Sequence, residues 1–237
     1  MDAQQEFWRR LKEEWLPAYC NDPKRRYASD GFNAGSKIVS EQDAQDFLRA
    51  IDQNVVSVDG GGRFRMPQSK THEVLFWEHS TLITPRPITL WLEPIITIAA
   101  VARLHLDYGW PVDCLGMQSE DSAFDVMAFK PGDLKNECVA GEVKDTATQL
   151  DRLLGHMNQC GAEGDSECSA PKTRKNAHRK VVGLKRCRAP IFWAIGPSGD
   201  SRVFCVTYRD DGKIILNRTE EATLFFPCAA SQTSPLV

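Results

Sequence analysis

Ala123-Phe124-Asp125-Val126-Met127-Ala128-Phe129, the turn Lys130-Pro131-Gly132-Asp133, and, three residues later, Glu137-Cys138-Val139-Ala140-Gly141-Glu142-Val143-Lys144 form the stretch on which the fold turns. Its two outer runs are apolar and β-favouring, and the segment between them carries strong turn chemistry, so the pattern predicts an antiparallel hairpin. Strand side chains alternate faces. Glu142 and Lys144, two apart, therefore project the same way as Ala140, and the hairpin brings Asp125 alongside Glu142. An aspartate set between Phe124 and Val126-Met127 is out of place in a β-run unless it has work to do there.

Downstream, residues 146–157 carry Leu150, Leu153, Leu154 and Met157 at three- and four-residue steps and predict a helix, followed by an exposed loop over 158–171. Residues 191–195 and 203–208 predict two further strands, joined across Gly196-Pro197-Ser198-Gly199. Upstream, the spacing of Leu90, Ile95, Ile98, Val101 and Leu104 predicts one long helix over 88–107. Proline is tolerated only in a helix's first turn, so Pro94 there places Glu93 near the N-terminus. Leu115-Gly116-Met117 adds a short strand. From residue 88 on the order is helix, strands, helix, strands, an α/β layout around a mixed sheet. Residues 1–75 form a mainly helical accessory segment. Within it, residues 6–18 place Phe7, Trp8, Leu11, Trp15 and Leu16 on one face, and Ser40 with Asp43 caps a second helix bearing Phe47, Leu48 and Ile51. Residues 22–37 read as a loop, and residues 63–66 as a short strand. The principal domain then spans 76–228, and 229–237 form a tail.

With 237 residues, 42% hydrophobic and 26% charged, the composition is that of a globular domain with a sizeable core. The start of the chain is polar and acidic. The longest apolar run, 95–102, is far short of the roughly 20 residues that span a bilayer, so a cytoplasmic protein with no membrane partner is the expectation. None of the eight cysteines forms a Cys-x-x-Cys pair, which leaves little for a zinc or redox motif and favours reduced, mostly core thiols such as Cys205. His72, His79 and His105 are read as structural or surface residues. The six tryptophans are read mostly as core, with Trp91 inside the helix carrying Glu93 and Trp77 in a strand-like run.

Two carboxylates placed as Asp125 and Glu142 are repel each other, and one would protonate unless a cation lay between them. Oxygen ligation by one or two carboxylates, completed by water and substrate phosphate, is what Mg2+ favours, with Mn2+ the natural substitute. Such an ion activates water and stabilises phosphodiester charge. Lys144 would orient or help deprotonate that water and offset phosphate charge. Together the three groups point to phosphodiester hydrolysis.

Asp125, with Glu142-Val143-Lys144 following 17 residues later, resembles the signature of the PD-(D/E)XK nuclease superfamily, the restriction-endonuclease-like fold. The resemblance covers roughly residues 82–226, and Phe124 stands where the family name has proline. It implies a restriction-endonuclease-like mixed β-sheet flanked by helices, with Asp125 and Glu142 as metal ligands. Glu93 fits the acidic residue many members carry on the preceding helix, as a further ligand or supporting carboxylate. Gln149 matches the glutamine that many carry on the following helix. Three other Asp-x-Lys triplets, beginning at Asp22, Asp133 and Asp211, lie in turns marked by proline or glycine.

Net charge is −3, yet Lys172, Arg174, Lys175, Arg179, Lys180, Lys185, Arg186 and Arg188 cluster without an intervening acid. Such a run suits a phosphate-tracking surface for nucleic acid, with DNA the expected partner. It is equally the composition of a solvated basic helix. The two N-terminal helices, residues 1–58, would serve target choice or self-association, and a homodimer or a partner subunit is the expected protein partner. The competing expectation is a catalytically inert nuclease-like fold that binds nucleic acid or a partner.

Overall fold

The computed structural model describes residues 1–22, 27–35, 37–119, 123–163 and 174–227. In chain order it contains α1 (Ala3–Arg10), a π-helical turn (Leu11–Trp15), α2 (Leu16–Cys20), β1 (Phe32–Asn33), α3 (Glu41–Asp52), β2 (Ser57–Val58), β3 (Arg63–Arg65), β4 (Glu73–Val74), β5 (Phe76–Glu78) and β6 (Ile88–Leu90). Then follow α4 (Leu92–Leu106), β7 (Leu115–Met117), β8 (Val126–Lys130), β9 (Asp133–Val143), α5 (Ala147–Glu163), α6 (Lys175–Cys187), β10 (Ile191–Ile195), β11 (Ser201–Tyr208) and β12 (Ile214–Thr219).

The architecture is mixed α/β. A six-stranded sheet runs in the order β12-β11-β10-β9-β8-β7, and two three-stranded sheets, β1-β6-β5 and β2-β3-β4, precede it in sequence. Strands β7, β8 and β9 pair antiparallel, as do β10, β11 and β12, while β9 and β10 are parallel. A parallel pair requires a crossover, which α5 and α6 supply. The turn between β8 and β9 closes at Gly132, whose φ of 81° is open to glycine at no steric cost.

Alternation along the sheet sorts two cores. Val126, Ala128, Val139, Val143, Trp193 and Ile195 face α4 and the N-terminal helices. Met127, Phe129, Ala140, Phe192 and Ala194 face α5 and α6. Helix α4 is buried around most of its circumference because it lies between α3 and the sheet, and the mean hydropathy of its residues is correspondingly high. Each of Ile95, Ile98, Val101 and Leu104 in that setting contributes about 1.5–3 kcal/mol of burial. Ser40 caps α3 as expected, its Oγ accepting from the Asp43 N–H at 3.0 Å.

Four expectations change. Residues 88–90 form strand β6 paired with β5, and α4 begins at Leu92 with Trp91 as its extended N-cap. Pro94 does lie in the first turn. Of the loop expected over 158–171, residues 158–163 are helical, since α5 continues to Glu163, and the remainder lies outside the described residues. The N-terminal segment carries β1, β2 and β4 besides its helices and the strand expected near 63–66 (β3), and its apolar side chains belong to the same cluster as α4 and the sheet. Cys205 and Trp77 are exposed rather than core, because both point outward from their strands. Among the described residues no helix is long and apolar enough to cross a membrane.

Candidate active site

Three elements end at one place. The site lies where β9 finishes, on the α5/α6 side of the sheet. Pairing of Val126 with Gly141 puts Asp125 opposite Glu142, one residue ahead of β8, where the Asp125 N–H still donates to the Gly141 carbonyl at 2.9 Å. Asp125 Oδ2 accepts the Val143 N–H at 2.9 Å. One residue beyond β9, the Lys144 N–H continues the ladder to the Ile195 carbonyl at 2.9 Å. Its ammonium lies 2.9 Å from Glu142 Oε1 and 3.2 Å from Glu93 Oε1. Glu93 arrives from the first turn of α4, where the positive end of the helix dipole favours a carboxylate. The four groups picked out by their sequence pattern thus stand together.

A fifth group was read differently. Lys180 was expected with the rest of its basic run on a phosphate-tracking surface. Instead its side chain is only 2% exposed and its ammonium pairs with Glu142 Oε2. The reason is helical phase: Lys180 lies on the α6 stripe made by Ala177, Val181, Leu184 and Cys187, all buried. Gly183 allows that approach, since a Cβ there would meet the Ala123 Cβ at 2.9 Å and the Phe124 ring at 3.0 Å. The Lys180 ammonium also sits 5.9 Å from the Phe124 ring centre.

The rest of the basic run divides. Lys175 and Arg179 are exposed and, with Asn176 and Lys180, line a pocket of about 540 Å³ together with Glu93, Asp125, Glu142 and Lys144. Arg188 lies over the Tyr208 ring at 4.3 Å, and Arg174 stands 3.7 Å from Glu163, so neither faces this pocket's lining. Lys185 and Arg186 follow at the far end of α6. Lys172 lies outside the described residues. Gln149 is exposed on α5 and does not line the pocket, whereas its backbone N–H is capped by Thr146 Oγ1 at 3.2 Å.

The N-terminal segment reaches the site twice. Lys37 Nζ pairs with Asp145 Oδ2 at 2.9 Å, immediately after Lys144. Glu73, in β4 and 4% exposed, accepts from Gln118 Nε2 at 2.7 Å, and the same amide nitrogen stands 3.5 Å from Asp125 Oδ1. Nothing in the local pattern around Glu73 or Gln118 marks them, since they meet only in the tertiary fold.

Burial, then the charge of Glu142, holds the Asp125 carboxyl well above its usual range, against the pull of Lys180 and Lys144. Burial also pushes Glu142 up, but Lys180 and Lys144 outweigh it and hold that carboxyl below its usual range. Burial raises Glu93 despite Lys144. Burial would lower Lys144, yet Glu142, Glu93 and Asp125 together raise it, so its ammonium stays charged.

Among the described residues no three His, Cys, Asp or Glu side chains form a group that could hold a metal by themselves. The donors nonetheless suit a hard cation completed by water and phosphate. Asp125 and Glu142 supply oxygen alone, and the pocket is open to water and phosphate. Glu142 would share its oxygens between the cation and the lysines. No family model, no curated protein and no solved structure matches the chain.

Proposed function

We propose that the chain is a magnesium-dependent nuclease that hydrolyses phosphodiester bonds, with DNA as its substrate. One observation carries this: Glu93, Asp125, Glu142 and Lys144 converge on a pocket that Lys175, Arg179 and Lys180 of α6 also line. Clustered acids with exposed cations in the same lining suit a phosphodiester whose backbone is gripped while one linkage is attacked. Asp125 and Glu142 would hold the ion, which when bound makes a water nucleophilic near neutral pH and stabilises charge on phosphoryl oxygens. Lys144, kept protonated by its three acidic neighbours, orients the attacking water and offsets developing negative charge rather than accepting a proton. Lys180 keeps Glu142 ionised. Lys175 and Arg179 take the flanking phosphates, Arg179 through the two-pronged geometry of its guanidinium.

A second reading has its own support. The Lys180–Glu142 pair neutralises the buried carboxylate without a divalent ion, which suits a nuclease-like module that grips nucleic acid and leaves it intact. Incubating the purified protein with supercoiled plasmid separates the two. The nuclease nicks or linearises DNA with Mg2+ and stops on chelation. DNA binding that is indifferent to the chelator, with no cleavage under any divalent ion, establishes the module instead. Failure to bind or cut sinks both.

A further inference from the structure

Gln118 is the residue whose geometry the catalytic scheme leaves unexplained. It is not glycine, yet its φ is 58°, in the left-handed region that side chains other than those of glycine and asparagine rarely adopt. What holds it there is Asp125. The Gln118 N–H donates to the Asp125 carbonyl at 3.0 Å, and the adjoining Ser119 N–H donates to the Phe124 carbonyl at 2.9 Å. Ser119 Oγ in turn accepts from the N–H groups of Ala123 and Phe124, both at 2.9 Å. The corner that bends the backbone thus aims the Gln118 amide between two carboxylates, Glu73 at 2.7 Å and Asp125 at 3.5 Å.

An amide has two faces, and only the nitrogen face can donate to a carboxylate. Glu73 is buried, so leaving its oxygen without a donor is costly, and that cost selects the Gln118 orientation in which nitrogen points inward. The second N–H of the same nitrogen is then available to Asp125 Oδ1. Asp125 Oδ2 is already fixed by the Val143 N–H. Groups that orient a ligand from behind typically change metal affinity by roughly 10- to 100-fold when they are lost.

We propose that Gln118 is a positioning residue that orients the Asp125 carboxylate toward its cation, and that Glu73, from the N-terminal sheet, fixes which way the Gln118 amide faces. This rests on the proposed cation site at Asp125 and Glu142. It gives the N-terminal segment a part in the active site itself, through a strand 45 residues from Gln118 in sequence.

The test uses full-length protein and Mn2+ as the probe, with affinity read by calorimetric titration in the absence of DNA. Gln118→Leu and Glu73→Leu should each weaken Mn2+ binding roughly 10- to 100-fold, the range for loss of a supporting hydrogen bond. Glu73→Gln should retain near wild-type affinity, because its amide oxygen still accepts from Gln118; a merely structural buried charge would not be rescued in this way. The double variant Glu73→Leu with Gln118→Leu removes both polar partners together and so remains folded where a single variant does not, and it should bind no more weakly than either single change. Wild-type Mn2+ affinity in the folded double variant, or failure of Glu73→Gln to rescue, overturns the proposal. Asp125→Asn is titrated in parallel. If it too binds Mn2+ normally, the cation site itself falls, whereas loss there with normal binding in the Gln118 and Glu73 variants removes only the positioning role.

Discussion

Replacing Lys180 with methionine tests whether the α6 lysine belongs to the site. Both partners of the Lys180–Glu142 pair are 2% exposed. Removing one member of such a pair strands a charge in the interior and costs about 3–5 kcal/mol. Here Lys144 still holds Glu142 Oε1 at 2.9 Å, so the lower end, about 3 kcal/mol, is the expected loss. Methionine keeps most of the buried stem, and packing therefore contributes little. For a chain of this size that loss lowers Tm by roughly 6–12 °C. The pH dependence has a definite sign. A carboxyl held below its unfolded value stabilises the fold above that value, 4.5 for glutamate, and the contribution is lost as pH falls through the folded value. The deficit of Lys180→Met should therefore be full near neutrality and shrink in acid. Urea unfolding followed by tryptophan fluorescence at neutral and acidic pH measures it, and adding Glu142→Gln to the variant should recover much of the loss. A deficit below about 1 kcal/mol, the scale of an exposed pair, or one of equal size at both pH values, refutes the electrostatic coupling.

Lys175→Gln and Arg179→Gln should each weaken DNA binding and reduce the slope of log affinity against log salt by about 0.9, while leaving the fold unchanged; an unchanged slope places α6 away from the phosphates. Gly183→Ala inserts a methyl group 3.0 Å from the Phe124 ring and should cost about 1–3 kcal/mol, measured by thermal melting, as α6 and Lys180 are pushed off the sheet. Burial pushes the Glu73 carboxyl up to about 7, against the Gln118 hydrogen bond. A raised carboxyl stabilises the fold fully below its unfolded value of 4.5 and loses that contribution as pH climbs through about 7. Glu73→Gln should flatten the stability profile over that interval, and a profile identical to wild type contradicts the assignment.

The hairpin that carries Asp125 and Glu142 was legible because its signals agree. Period-two apolarity, turn chemistry and an aspartate stranded among apolar neighbours all point to one arrangement, and the observed register sets Asp125 against Glu142. Glu93 was legible through Pro94, which confines the residue before it to a helix's first turn. Strand β6 was lost because its apolar positions continue the phase of α4, and only pairing with β5 reveals the break at Trp91. Strand β12 was missed because Ile214-Ile215-Leu216 is a short apolar run with no period-two alternation before the polar Asn217-Arg218-Thr219. Lys180 was misplaced for a reason that could have been avoided. Counting charge along 172–188 concealed that Ala177, Lys180, Val181, Leu184 and Cys187 share one helical face, which puts that lysine in the interior. Glu73 and Gln118 carried no local signal, because their partnership joins β4 to the end of β7 across the fold.

Plasmid cleavage in Mg2+ by wild type, Asp125→Asn and Lys144→Ala, compared over the same time course, addresses the central claim most directly. The proposed chemistry predicts nicking by the wild-type chain and loss of at least about 100-fold in rate for each variant, the scale of removing a group that stabilises charge in the transition state, with DNA binding preserved. Equal cleavage by all three proteins contradicts it.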